Sequence, residues 1–444
     1  MIVLKFGGRT IGTAEGVSRC LDIVEGEAAR RPIVVVSAHG DTTDMLQGAA
    51  NDALKGKIKS GAIRRYHEEL AEELGVSAGS IDPLLTRFET LLHGINLVKE
   101  LTPRTMDNVL SFGERLSSRL IAAALVERGI EASPVNSYDV GMRTDSCFGN
   151  ARPVDGVEEG LRTGLKGVDG VPVVTGFLGK NEHDEITTLG RSGSDYTATL
   201  VAAGVSAEEV IIYKSVDGVM TADPSIESAA RNIPKISFDE ASELAYFGAE
   251  VLHPATLVPA IRHGIPVRVA NVTRVGDAGT TIVSEPVVTG GLAKSIAYKE
   301  GVALIHIESP RLHSVPQVLG SALGILEAQG VVAHMVMTSE AGISLVTQSG
   351  LAERALGEAC KALEYVASAR CETGMAVVCV VGDELKGRPE SIGRIFTALA
   401  EAGINSRAIT RSASEINMAF LVSEGDIGGA VKALHVLIID HRGD

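Results

Sequence analysis

The chain has 444 residues, too many for one ordinary core, so two or three domains are expected. Its 41 Lys and Arg against 56 Asp and Glu leave a net charge of −15. That charge argues against general binding of nucleic acid or an anionic membrane, while local arginines and backbone amides could still hold an anionic substrate.

Ile2 to Phe6 reads as a buried strand ending at Gly7-Gly8. Val17, Cys20, Leu21 and Val24 follow at helical spacing, and Ile33 to Val36 is a second buried strand. Strand, glycine turn, helix and strand make a βαβ unit with parallel strands. Similar apolar runs recur at Val171 to Val174, Val210 to Tyr213 and Pro266 to Val269. Between them Ser60 to Glu127 is predominantly helical, and Ser237 with Glu240 predicts a capping box opening a helix towards Phe247. With no tryptophan and few aromatics, cores of Val, Ile, Leu and Ala fit helices packed on a largely parallel sheet.

Past Thr289-Gly290-Gly291 the texture changes. Strand Ala303 to Ile307, helix Val315 to Ala328 and strand Ile343 to Thr347 are followed by strand Val377 to Val381, helix Ser391 to Ala402 and strand Ile416 to Val422. This is an internal repeat of a small βαββαβ unit, more suited to sensing a ligand than to chemistry. The five cysteines (Cys20, Cys147, Cys360, Cys371 and Cys379) form no CxxC pair and read as small buried residues of a reducing compartment. The N-terminal apolar run is too short for a signal peptide, and no stretch approaches a membrane span, so a cytoplasmic protein is expected.

Four clusters in the first part could carry chemistry. Lys5 sits at a strand C-terminus before Gly7 and Gly8, where backbone amides can approach phosphate oxygens and a lysine adds mobile positive charge. Gly190-Arg191-Ser192-Gly193-Ser194-Asp195 resembles an anion-binding helix start, with Asp195 as a cap or a lysine anchor and Arg191 as a carboxylate clamp. Gly113 lies inside an amphipathic helix running from Met106 to Leu120. A glycine there costs about 1 kcal/mol against alanine, which points to close approach of another segment. Its neighbour Glu114 could bind a substrate ammonium or simply be solvated. The fourth cluster, Lys214 to Pro224, is a polar loop at a strand end. No G-x-x-x-x-G-K-[ST] loop, H-E-x-x-H, G-x-S-x-G or G-x-G-x-x-G is present, and His253 before Pro254 reads as structural.

Taken in order, KFGG at 5–8, SAHGDTTD at 37–44, FGERLSS at 112–118, TTLGRSGSDYTATL at 187–200, SVDGVMTADP at 215–224 and FGAEVLHPAT at 247–256 resemble the aspartokinase branch of the amino-acid kinases. The C-terminal repeat, with Ser414-Glu415-Ile416-Asn417 before its last strand, is similar to the paired ACT domains of that family. The resemblance implies an α/β kinase domain over 1–288, a three-layer sandwich with a largely parallel sheet. Two ferredoxin-like ACT domains would follow over 289–370 and 371–444. It also implies phosphoryl transfer from ATP with Mg2+ to the side-chain carboxylate of L-aspartate, a lysine or threonine effector, and a homo-oligomer. No protein-held metal, nucleic-acid partner or membrane is implied.

By the same resemblance Lys5 would stabilise the γ-phosphoryl group, and Asp195 would orient Lys5 or the metal-bound phosphates. Gly7, Gly8, Gly193 and Ser194 would make close backbone contacts to phosphate. Ser37, Thr43, Glu114 and Arg191 would hold aspartate, and Lys214, Ser215 and Asp223 the nucleotide. The sequence departs from the family pattern at Arg9, His39, Asp41, Ser225 and Glu250. Arg9 would reach a second anionic group or pair with Asp41 or Asp44. These departures leave two alternatives: a kinase for another acidic amino acid, and a non-catalytic amino-acid sensor.

Overall fold

The structure is a computed structural model and describes residues 1–248, 252–274, 276–287, 291–308, 315–340, 342–348, 353–365 and 367–439. Ala249, Glu250, Val251, Thr289 and Gly290 lie outside the described residues. The chain divides into two compact units. The first contains Met1–Val219, Asn232–Ala241 and Val251–Pro286; the second contains Met220–Arg231, Ser242–Glu250 and Val287–Asp444.

The first unit is built on strands β1 (Ile2–Phe6), β2 (Pro32–Val36), β3 (Ala132–Val135), β4 (Val171–Thr175), β5 (Leu178–Lys180), β6 (Ile186–Thr188), β7 (Glu209–Lys214), β8 (Lys235–Ser237), β9 (Val267–Asn271) and β10 (Thr280–Val283). Eight of them form one sheet in the order β3-β4-β2-β1-β7-β9-β10-β8, and β5 pairs with β6 in a separate hairpin. Every pairing in the large sheet is parallel except β9 with β10. All five residues of β1 and of β2 are buried, as befits mainly apolar strands in the middle of a parallel sheet.

Helices α1 (Ala14–Gly26), α2 (Thr42–Leu54), α3 (Gly61–Glu73), α4 (Asp82–Val98), α5 (Pro103–Leu110) and α6 (Phe112–Glu127) make the expected helical region after β2. Their apolar faces join Ile2, Leu4 and Phe6 in one core with Leu85, Phe88, Phe112 and Leu120. The sequence predicts a single helix from Met106 to Leu120; the structure interrupts it at Ser111. There the serine hydroxyl turns back to the Asn108 carbonyl at 2.7 Å, competing with the helical ladder. The predicted capping box is present: Glu240 accepts the Ser237 N–H at 2.8 Å and the Ser237 hydroxyl accepts the Glu240 N–H at 3.2 Å. Helices α7 (Val157–Leu165), α8 (Gly193–Val205), α9 (Phe238–Tyr246) and α10 (Pro254–His263) complete the helices before the repeat. His253 caps α10, accepting the Ala255 N–H, which is the structural role expected of it.

In the second unit a six-stranded antiparallel sheet has the order β12-β13-β11-β14-β16-β15. Its strands are β11 (Ser295–Glu308), β12 (Ala333–Thr338), β13 (Gly342–Gln348), β14 (Ser368–Val381), β15 (Ala408–Thr410) and β16 (Asn417–Ser423). Four helices accompany them: α11 (Val315–Ala328), α12 (Glu353–Leu363), α13 (Pro389–Glu401) and α14 (Ile427–Ile439). Strands β11 and β14 are nearly three times the length read from the sequence and pair along both halves, so they run through both repeats. Ala303, Ile305 and Ile307 pack with α11 and α12, whereas Ile296, ahead of them on the same strand, packs with Val378, Ile395, Phe420 and Leu434. The second repeat therefore takes a strand from upstream of the first.

The cysteine reading needs correction. All five are free thiols, but only Cys20 and Cys379 are buried; Cys147 is exposed, and Cys360 and Cys371 are half-buried. Cys147 sits in the turn between Asp145 and Asn150, which leaves its side chain to solvent.

Candidate functional site

Three neighbouring strands, β2, β1 and β7, bring their C-terminal ends to one edge of the large sheet. The chain leaves β1 towards β2 on one side and leaves β7 towards β8 on the other, the position where open α/β sheets leave a crevice for a ligand. The last residues of these strands and the first turn of α8 supply the predicted cluster.

Lys5 occupies the fourth position of β1 and is 6% exposed; Asp195, in the first turn of α8, is 4% exposed. Lys5 Nζ lies 2.6 Å from Asp195 Oδ1, and Lys214 Nζ, from the end of β7, lies 3.5 Å from Asp195 Oδ2. Burial pushes the Asp195 carboxyl up, but the ammonium groups of Lys5 and Lys214 outweigh it and hold the carboxyl below its ordinary value. The aspartate is thus a fixed anion that positions two cations. Asp195 does not cap the helix: Ser192, in the left-handed region at φ 59°, is the N-cap residue of α8.

Close backbone approach surrounds this triangle. A Cβ on Gly8 would stand 2.6 Å from the Ala38 carbonyl oxygen, and one on Gly193 would stand 2.7 Å from Phe177 Cδ2. Ser194 packs so tightly on Gly176 that a Cβ there would meet the serine Cβ at 2.5 Å. Gly7 is looser, with Lys5 Nζ 3.6 Å from where its Cβ would be.

Glu114 is not solvated. It is 3% exposed, one Oε accepts the Ala38 N–H at 3.1 Å, and its other oxygen is buried without a hydrogen-bond partner. Burial raises its carboxyl to about 8, against the lowering effect of its backbone hydrogen bonds and of the Lys5 charge. A buried acceptor left open within range of Lys5 is a place for a ligand's donor group. Gly113 makes the arrangement possible, since a Cβ there would lie 2.6 Å from Ala38 Cβ. The close approach expected from a mid-helix glycine is to Ala38.

The remaining predicted residues spread outward. Ser37 follows β2 and Thr43 is the second residue of α2; both are half-buried. Arg191 is exposed on the loop before α8, and Ser215 is exposed after β7. Asp223 belongs to the second unit, where its carboxylate accepts Tyr298 Oη–H at 2.9 Å and the Ser225 N–H and hydroxyl at 2.8 and 2.7 Å. Arg9 is exposed and forms no ion pair with Asp41 or Asp44 among the described residues. His39 is fully buried, with Nδ1 2.7 Å from the Ile11 carbonyl.

Asp107, on α5, escaped the sequence reading. It is 1% exposed and accepts the Gly149 N–H at 2.9 Å, the Thr188 N–H at 2.8 Å and the Thr188 hydroxyl at 2.9 Å. It pins the strand that leads into Gly190 and Arg191. Its signal was slight, an acidic residue one step from the apolar stripe of Met106, Val109 and Leu110.

The model of the amino acid kinase family matches residues 1–271, and that of the ACT domain matches residues 378–436. Aspartokinase 1, chloroplastic, of Arabidopsis thaliana is 35% identical over 98% of this chain and 79% of its own length. The crystal structure of Escherichia coli aspartokinase III with aspartate and ADP has a TM-score of 0.79 at 30% identity, covering 99% of both chains. The lysine and aspartate complex of the same enzyme, described as its T-state, has a TM-score of 0.80 with the same identity and coverage.

Proposed function

This chain belongs to the amino acid kinase family, and on that footing we propose that it is an aspartate kinase, transferring the γ-phosphoryl group of MgATP to the side-chain carboxylate of L-aspartate. The observation that carries the reading is the buried Lys5–Asp195–Lys214 triangle beside Glu114, with its open acceptor oxygen.

The chemistry asks little covalent help of the protein. An aspartate carboxylate oxygen attacks the γ-phosphorus, the bond to the bridging oxygen breaks, and ADP leaves with that electron pair. No general base is needed, because the attacking carboxylate is already ionised at neutral pH. Lys5 neutralises charge on the transferring group from a position already fixed by Asp195, so little reorganisation is required during the reaction. Gly8, Gly193 and Ser194 give the phosphates close backbone contact. Glu114 receives the substrate ammonium, and Arg191, Ser37 and Thr43 hold its carboxylates. Lys214 and Ser215, at the end of β7, take the nucleotide.

Magnesium fits as an ion carried in on the nucleotide. Among the described residues no three His, Cys, Asp or Glu side chains gather as a metal site, and the Asp195 carboxylate is engaged by two lysines. Mg2+ commonly binds through substrate phosphates with few protein ligands.

The ACT-domain match over 378–436 supports an amino-acid effector, lysine or threonine, acting on a homo-oligomer. Among the described residues no helix is long and apolar enough to cross a membrane, and we assign the protein to the cytoplasm. Arg9, which forms no ion pair among the described residues, favours one second reading, a different acidic amino acid as acceptor.

The test is turnover with MgATP, L-aspartate and hydroxylamine, scoring the aspartyl hydroxamate beside other acidic amino acids. Product with aspartate is expected, and Lys5→Ala should lower kcat by about 10²–10³-fold. Hydroxamate from another acid alone would shift the reading to that acid, and full activity in Lys5→Ala would sink the role of Lys5.

A further inference from the structure

A second cationic cluster lies away from the Lys5 triangle, on α4, α6, the turn Ser137–Val140 and β5. Arg115, on α6, is 6% exposed, yet no carboxylate lies within ion-pair distance among the described residues. Its Nε is buried without a partner, and its one hydrogen bond, to the Ser111 hydroxyl, is long at 3.5 Å. Its guanidinium stacks on the Phe112 ring with 4.7 Å to the centroid. Stacking covers the flat face of the group and leaves its edge N–H donors unsatisfied.

Arg119, one turn further on, donates among the described residues only to the Arg115 carbonyl, at 2.9 Å. Both Arg119 and the exposed Arg87 of α4 repel the Arg115 charge. The Tyr138 hydroxyl completes the group: its ring is 6% exposed, its hydroxyl has no hydrogen bond among the described residues, and Lys180 Nζ sits 4.4 Å above the ring. Asp139, the carboxylate that acts on Arg115 and Arg119, is already engaged by Lys180 at 3.5 Å and by Asn136 at 2.8 Å.

A buried cation surrounded by like charges is costly unless an anion compensates it. Arg115 and the Tyr138 hydroxyl leave donors open here, and guanidinium donors match a planar or tetrahedral oxyanion in pairs. We propose that Arg87, Arg115, Arg119 and the Tyr138 hydroxyl form a second site, for a small free oxyanion such as phosphate. It begins one residue after Glu114 on the same helix, so an occupant would steady the turn that carries Glu114.

Equilibrium dialysis of the full chain with labelled inorganic phosphate, at ionic strength fixed with chloride, counts the sites. Two classes are expected in the unaltered protein. One should weaken about tenfold in Arg119→Gln and likewise in Arg87→Gln, while the class at the reaction centre persists. Arg87 is exposed and Arg119 half-buried, so these exchanges spare the core around Arg115. Equal phosphate binding by the unaltered protein and both variants would overturn the proposal. So would a cluster that binds no phosphate while Arg119→Gln dissociates an assembly in sedimentation, since a carboxylate of a second copy would then be the anion. Turnover is scored separately: a single class of phosphate sites in an unaltered protein with intact kinase activity would sink this site alone.

Discussion

Glu114 couples substrate binding to pH. Its carboxyl is raised to about 8 by burial, so in the free protein at neutral pH it is mostly protonated, and an arriving ammonium draws it towards the ionised form. Aspartate KM should therefore fall as pH rises towards about 8, and binding at pH 7 should release a proton, measurable by calorimetry in buffers of different ionisation enthalpy. Glu114→Gln should abolish that dependence and lower kcat/KM by about 30–100-fold, the worth of one charge-assisted hydrogen bond. An unchanged pH profile would remove Glu114 from the substrate's ammonium.

His39 acts on stability in the opposite direction. Burial, with a contribution from His67, lowers it from 6.5 to about 3, so the folded chain keeps it neutral while the unfolded chain protonates it below about 6.5. Stability is then lost as pH falls from about 6.5 towards 3, on the order of 2 kcal/mol by pH 5 from this residue. Urea unfolding at pH 7 and pH 5 measures it, and His39→Gln should flatten the difference. The sequence marked both positions as unusual, but not their consequences. Whether a glutamate is solvated or buried depends on Ala38, which is 76 residues away along the chain.

At the scale of elements, the site depends on how closely α6 lies against the segment after β2. Gly113→Ala would set its new methyl 2.6 Å from Ala38 Cβ. Relief requires moving the backbone that donates to Glu114, so about 1–3 kcal/mol of stability should be lost and aspartate KM should rise with little change in ATP KM. Thermal unfolding and initial rates check the two parts, and an unchanged KM would separate Gly113 from the site. Strand identities were legible here because β1, β2, β4, β7 and β9 each carry two or more Val or Ile in a segment of about the right length. Strand β3 was not read, since Ala132-Ser133-Pro134-Val135 carries little hydrophobic signal and is ordered by pairing with β4. Asp107 escaped for a related reason: its partners Gly149 and Thr188 meet it only after folding.

At the scale of the molecule, the two repeats cannot be separated by one cut in the chain. Because Ile296 packs into the core of the second repeat, a fragment of residues 371–444 lacks a strand of its own core, whereas 291–444 keeps every buried residue of both cores but Ala222. The longer fragment should give a cooperative unfolding transition and the shorter one should not, as circular dichroism during urea titration would show. A cooperative transition in the shorter fragment would mean that β11 is dispensable to the second repeat. By itself the sequence carried the strand and helix periods, the glycine turns and the repeat, because apolar period and turn chemistry are local properties, while its ordered motifs carried the resemblance that pointed to a kinase and to Lys5, Glu114 and Asp195. Only the tertiary structure decided that Asp195 serves two lysines, that Glu114 is buried with an open oxygen, that Arg115 lacks a carboxylate and that β11 serves both repeats. Each of these depends on desolvation and pairing between segments distant along the chain, and neither exists until the cores have closed.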